Sequence, residues 1–260
     1  MLLALDVGNT NITVGVYDGA AWRTRWRLRT VRDQTADEWG ILLRNLFDFG
    51  HLDQSEVDGL IVASVVPPLD SSLARMAQRY FHLDAEFVTS ETDTGIQILY
   101  DNPREVGADR IVNAVAAYQK YGGPVVVVDL GTAVTFDVVS ANAEYLGGVI
   151  CPGVGVSVEA LVSRTARLPH VDFRNPGSII GKTTVTSMQA GLYYGFIGMI
   201  DSIIERLQTE LGTEVKIVAT GGQAPMIVDD SRYLRQVDED ITLDGLRLIW
   251  ERLRQCEGRG

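Results

Sequence analysis

The sequence predicts an α/β protein built from two similar units, and three observations carry that reading. Apolar runs with strand-like alternation are interleaved with segments of helical spacing, the pattern of sheets flanked by helices. The stretch 5–13, Leu-Asp-Val-Gly-Asn-Thr-Asn-Ile-Thr, is echoed at 128–135 as Val-Asp-Leu-Gly-Thr-Ala-Val-Thr, with Asp6 and Asp129 123 positions apart. That interval is too long for a solenoid repeat and suits a duplicated domain. At 260 residues and 46% hydrophobic, the chain is long and apolar enough to bury the core that two such units need.

Each element has a local reason. Leu2–Leu5 is a short apolar strand that ends at Asp6-Val7-Gly8-Asn9-Thr10. Ile12, Val14 and Val16 then alternate with Thr13, Gly15 and Tyr17 in a second strand, Asp18-Gly19 is a hairpin turn, and Trp22, Thr24, Trp26 and Leu28 alternate with arginines in a third. Thr35-Ala36-Asp37-Glu38 reads as a capping box opening a helix whose Trp39, Leu42, Leu43, Leu46 and Phe47 share a face. Leu60–Val66 is a strand stopped by Pro67-Pro68, Ser71–Tyr80 a helix, and Ala85–Thr89 a short strand before the polar stretch Ser90–Asn102. A helix from Gly107 to about Tyr121 follows, and then the pattern repeats. Val125–Val128 is a strand apolar on both faces, Val134, Phe136 and Val138 alternate in the next, and Tyr145–Ile150 is the third. A long helix from Thr184 to about Leu211, the strand Val215–Ala219, the turn Thr220-Gly221-Gly222 and a helix around Leu243–Leu253 complete the reading. The expected domains are 1–117 and 118–260, with both Asp-x-Gly turns in one cleft.

Composition narrows the function. Acidic residues outnumber basic ones 34 to 23, a formal charge of −11, so nothing global attracts the chain to nucleic acid or an anionic membrane. A phosphate or carboxylate ligand therefore needs a local positive field. The two cysteines, Cys151 and Cys256, form no metal-ligand motif and fit a reducing compartment. Neither a signal peptide nor an 18-residue apolar run is found, and the expectation is a cytoplasmic protein.

The chemistry concentrates in the glycine turns. Gly8 lets backbone approach a phosphate closely, successive amides around it can form an anion nest, and Thr10, Asn11 and Thr13 add neutral donors. Asp6 can hold Mg²⁺ directly or through water. Asp129 ends the most apolar strand in the chain, where a carboxylate needs a cation or hydrogen-bond donors. The plain alternatives are an ordinary Gly-Asn β-turn with a surface aspartate at Asp6, and capping of the following turn at Asp129. Thr132 would offer a hydroxyl or amide to phosphates, and Gly221-Gly222 would give a flat ring bare backbone to lie against. Gly177–Thr183 imitates a P-loop but has three residues between its glycines, and Gly155-Val156-Ser157-Val158 continues with Glu159, which breaks the nucleophile-elbow pattern.

Two phosphate hairpins and an adenosine turn, in that order, resemble the superfamily of acetate and sugar kinases, Hsp70 and actin. Within it the chain is similar to the type III pantothenate kinases. The matching segments are Asp6–Asn11, Gly107-Ala108-Asp109-Arg110, Asp129–Thr135, Gly147–Ser157, Leu168-Pro169, Ile180-Gly181 with Thr183-Thr184, and Ala219–Gly222. The resemblance implies two actin-like (ribonuclease H-like) domains, each a mixed five-stranded sheet with flanking helices, around a nucleotide cleft. It implies ATP-dependent phosphorylation of the terminal hydroxyl of pantothenate, the first step of coenzyme A synthesis. Asp109 would be the catalytic base, where the residues alone also allow a helix first-turn acid. Tyr100, Gly107, Ala108, Asp109, Arg110 and Thr184 would bind pantothenate; Asp6, Val7, Gly8, Asn9, Thr10, Asn11, Ile12, Thr13 and Thr132, with Gly221 and Gly222, would bind ATP. Asp129 would hold a monovalent cation, K⁺ or NH₄⁺, and the chain would form a homodimer. A phosphatase acting on a polyphosphate-like anion and a non-catalytic nucleotide-binding regulator remain as alternatives at this point.

Overall fold

The computed structural model describes residues 1–257. It divides into two compact units, one of Met1–Ala116 together with the segment from Asp240 onward, the other of Ala117–Glu239. The fold is α/β, with two mixed five-stranded sheets.

The first unit opens with three strands, β1 (Leu2–Val7), β2 (Asn11–Tyr17) and β3 (Trp22–Arg29), followed by helix α1 (Ala36–Phe49). The capping box that starts α1 has both arms: the Glu38 amide donates to Thr35 Oγ1 at 3.3 Å, and the Thr35 amide donates to Glu38 Oε2 at 2.7 Å. Trp39, Leu43 and Phe47, one turn apart, are wholly or almost wholly buried against the sheet. Strand β4 (Gly59–Ser64) leads into α2 (Pro67–Met76), and β5 (Glu86–Phe87), β6 (Gln97–Ile98) and α3 (Ala108–Tyr121) follow. Pro67 and Pro68, expected to end the strand, also begin the helix: at N1 a missing amide costs nothing, so α2 starts four residues before Ser71 and ends in a π turn over Ala77–Phe81. The sheet order is β3-β2-β1-β4-β5, with β1 antiparallel to β2 and parallel to β4.

The second unit repeats that arrangement with β7 (Val125–Leu130), β8 (Ala133–Val139), β9 (Glu144–Pro152), α4 (Val154–Arg164), α5 (Thr184–Leu211) and β10 (Lys216–Thr220). β7 lies between β10, to which it is parallel, and β8, to which it is antiparallel, with β9 beyond β8. The registers show the duplication directly. Asp6 stands opposite Thr13 and beside Ala63, and Asp129 stands opposite Thr135 and beside Thr220. Helix α5 runs over the span that the sequence predicts, started by Thr183, whose hydroxyl accepts from the Thr186 amide at 3.1 Å. Helix α4 is not anticipated by the sequence reading, because its valines sit among glycines that weaken the helical signal.

The last helix, α6 (Ile241–Glu257), packs on β1 and β4 of the first unit, so the first unit is completed by the far end of the chain. Its approach is close. A Cβ on Gly245 would overlap the Val112 carbonyl oxygen of α3, the Trp22 indole donates to Asp244 at 2.9 Å, and Thr242 donates to Asn113 Oδ1 at 2.8 Å. Alanine favours a helix over glycine by about 1 kcal/mol, yet Gly245→Ala is expected to destabilise the protein by about 1–3 kcal/mol through overpacking. A lowered thermal midpoint checks this; an unchanged or raised one would show that α6 does not sit so close to α3.

Candidate active site

In the first unit the ends of β1 and β4 and the start of α3 come together. The Gly8 amide donates to the Asn11 carbonyl at 3.0 Å, which folds the β1–β2 turn back on itself. Just past β4, the Val65 amide donates to the Val7 carbonyl at 3.0 Å, so the β4–α2 turn is latched to the base of that hairpin. Ser64 holds the same turn: it accepts from the Val66 amide at 3.2 Å and donates to Asp70 Oδ1 at 2.6 Å. Burial pushes the Asp70 carboxyl above its usual range, and the Ser64 hydroxyl opposes that shift. Val65 also lies against Gly107, where α3 begins. The C-terminal ends of sheet strands are where open α/β folds bind ligands.

The Gly107 carbonyl accepts from the Arg110 and Ile111 amides at 3.1 and 3.2 Å, closing the first turn of α3. This aims the Asp109 side chain back over the turn. Its Oδ1 lies 2.8 Å from the Arg110 amide, and 2.5 Å from where a Cβ on residue 107 would sit, so a side chain at 107 would have to displace it. Burial of the carboxyl pushes its pKa up, outweighing the Arg110 amide and the Arg110 charge, which pull it down. A carboxylate with raised basicity at a helix N-terminus is a general-base candidate. Arg110 itself is 8% exposed, a guanidinium brought inside next to that acid. Tyr100 is half-buried, just ahead of the 3₁₀ turn Pro103–Glu105 that leads into α3.

In the second unit, three turns meet. Asp129, the last residue but one of β7, lies beside Thr220 of β10, and Gly221, at φ +88°, passes directly over it: a Cβ there would lie 2.5 Å from Asp129 Oδ1 and 2.6 Å from the Leu130 carbonyl. The Gly131 amide donates to the Ala133 carbonyl at 3.0 Å, a hairpin closure of the same kind as that of Gly8. The Gly153 amide donates to the Thr132 carbonyl at 3.1 Å. The structure therefore gathers Asp129, Thr132 and Gly221, three of the expected residues, with Gly222 exposed beyond them. Thr184 is the first residue of α5 and exposed.

Some of the residues that shape these turns are not singled out by sequence reasoning. Ser64 and Asp70 are an ordinary serine and aspartate six positions apart, and only the turn at Pro67 brings them into contact. Thr30, which follows β3, donates its hydroxyl to the Gly8 carbonyl at 2.6 Å and its amide to the Thr10 carbonyl at 3.0 Å. A threonine directly after an alternating strand that leads back to a glycine hairpin is a signal that could have identified it.

Comparison with known proteins identifies the family. Residues 2–206 match the family model for type III pantothenate kinase. The chain is 63% identical over 252 residues to the type III pantothenate kinase of Solibacter usitatus, covering 97% of each chain. It is 54% identical to that of Koribacter versatilis, covering 97% of this chain and 96% of the relative, and 53% identical to that of Myxococcus xanthus, covering 97% and 98%. Among solved structures, it is similar to the activator of 2-hydroxyisocaproyl-CoA dehydratase from Clostridium difficile, with bound ADPNP, at 10% identity and a TM-score of 0.55, covering 100% of this chain and 97% of that one. The ethanolamine utilization protein EutJ from Carboxydothermus hydrogenoformans is similar at 14% identity and a TM-score of 0.54, covering 95% and 89%. At such low identity these two structures speak for the fold alone, which is actin-like. By its family model and its full-length relatives, the chain belongs to the type III pantothenate kinases.

Proposed function

We propose that Asp109 is the base through which this chain performs its family's reaction, ATP-dependent phosphorylation of the terminal hydroxyl of pantothenate to 4′-phosphopantothenate. The observation that carries the assignment is the half-buried carboxyl of Asp109, folded back over Gly107 at the first turn of α3. An alcohol is far too weak an acid to lose its proton beforehand. Phosphoryl transfer is largely dissociative, so the carboxylate first orients the hydroxyl in line with the γ-phosphate and takes its proton as the new P–O bond forms. Arg110 offers a planar fork to the carboxylate at the other end of pantothenate, and Tyr100, Gly107, Ala108 and Thr184 complete the substrate contacts.

The hairpin 6–13 and Thr132 take the ATP phosphates, with Gly221 and Gly222 beside the adenosine. Family membership implies a divalent metal together with ATP. The donor set fits one that arrives with the nucleotide: among the described residues no group of three His, Cys, Asp or Glu could hold a metal ion. Magnesium commonly uses one or two carboxylates plus substrate phosphates, and Asp6 is the residue that would hold it, directly or through water. Bound there, it would neutralise the charge on the transferred phosphoryl group. For a monovalent cation, K⁺ or NH₄⁺, the cradle is the space over Asp129 that a side chain at 221 would fill, with the Leu130 carbonyl beside it. The enzyme is proposed to work in the cytoplasm as a homodimer, following its family; no described helix is long and apolar enough to cross a membrane.

Asp109→Asn is expected to lower kcat by about 10²- to 10⁴-fold, while the thermal midpoint holds or rises, because a charge held out of water is removed. Full activity in this variant would take the base away from Asp109. The pH dependence has a definite sign. A base with a raised pKa is protonated sooner on acidification, so kcat/KM for pantothenate should fall through a midpoint above the ordinary aspartate value of about 3.9. The same raised pKa favours the folded state at low pH, and that contribution is lost as pH rises through the folded value. A midpoint at or below the ordinary value contradicts the assignment. For the cation, Gly221→Ala should abolish the activation of ADP release by K⁺ over Na⁺, and activation that survives the substitution would place the cation elsewhere.

A further inference from the structure

We infer that Thr30 is a positioning residue for the phosphates of ATP, acting through the hairpin that it braces; this rests on the reading that the Gly8 hairpin holds ATP. An anion nest works only if its amides face the ligand and its carbonyl oxygens, which repel an anion, face away. Three carbonyls of this turn are held by donors of the protein. The Gly8 carbonyl takes the Thr30 hydroxyl at 2.6 Å, the Thr10 carbonyl takes the Thr30 amide at 3.0 Å, and the Asn11 carbonyl takes the Gly8 amide at 3.0 Å. Two of the three ties come from Thr30, so this one residue sets which edge of the turn meets a phosphate.

The second unit supplies an internal control. Gly153 follows β9 as Thr30 follows β3, and its amide takes the Thr132 carbonyl at 3.1 Å, just as the Thr30 amide takes that of Thr10. The backbone brace is therefore part of the duplicated design. At 153 a side chain is excluded, because a Cβ would overlap the Thr132 and Gly131 carbonyl oxygens. Position 30 has room for one, and its hydroxyl makes a second tie that the other unit lacks. The hydroxyl of Thr30 is thus an addition specific to the first hairpin, where the notion of a tuned phosphate turn has its strongest footing.

The test is steady-state kinetics of Thr30→Val, which keeps the shape and removes the hydroxyl, beside Thr30→Ser, which keeps the hydroxyl, and Thr30→Ala as a second variant without it. Loss of the tie is expected to raise KM for ATP by about 5- to 10-fold, leaving KM for pantothenate unchanged, and Thr30→Ser should restore it. If Thr30→Val and Thr30→Ala only lower the thermal midpoint and keep the wild-type KM for ATP, the brace is structural and the inference is overturned. Gly8→Ala separates the two claims, since its Cβ would press on the Asn11 carbonyl at 2.9 Å. A raised KM for ATP in Gly8→Ala alone leaves the hairpin as the ATP site and removes only Thr30. An unchanged KM in Gly8→Ala and in both Thr30 variants removes the hairpin from ATP as well.

Discussion

Leu3, Leu5 and Val7 in β1 and Val125–Val128 in β7 have almost no contact with solvent, and that burial sets where the polar chemistry can begin. A strand buried on both faces cannot accept a carboxylate along its length without a partner, because desolvating an unpaired charge costs many kcal/mol. The first positions at which an acid is tolerable are the strand ends, where the chain leaves the sheet for a turn rich in amides. Asp6 and Asp129 occupy those ends, each opposite a threonine on the antiparallel neighbour. A one-residue slip in either register would draw an aspartate into the core and push an aliphatic side chain out. Hydrophobic patterning thus fixes the placement of the residues proposed for metal, cation and phosphate binding, and the turns attached to those ends inherit it.

The two units share this frame and use it differently. In the first, the turn after β4 is built from Ser64, Val65 and Val66 and carries contact onward to Gly107, so the end of the sheet is tied to the helix start that bears Asp109. In the second, the corresponding turn after β10 is Gly221-Gly222, which offers bare backbone over Asp129. Where one copy uses side chains to hold the candidate base, the other removes them, which suits a cation and a flat ring.

Much of this was legible in the sequence, and the part that was not has identifiable causes. Alternation and capping are local signals, so β2, β3, α1 and α5 could be read from a few residues each, and the repeated Asp-x-Gly turns exposed the duplication. Helix α4 gives no clear signal because Gly153 and Gly155 interrupt its helical pattern, although the first serves as its N-cap. The packing of α6 on the first sheet was beyond reach: an apolar helix face states that it must be covered, not by what, and its partner at Val112 lies more than a hundred residues away. The family segments named most of the candidate site, since turn glycines and their acids lie close together in sequence. Ser64 and Asp70 escape because the turn at Pro67, not their spacing, brings their side chains together, and Thr30 because its ties run to backbone carbonyls of a distant turn.

As a type III pantothenate kinase, this chain moves a phosphoryl group from ATP to pantothenate. The most direct measurement is product stoichiometry for the purified protein with ATP, Mg²⁺ and K⁺, following ADP and 4′-phosphopantothenate together. The two should appear in equal amounts, with ADP formation dependent on pantothenate. ADP and inorganic phosphate appearing at the same rate without pantothenate would contradict it and identify a hydrolase on the same fold.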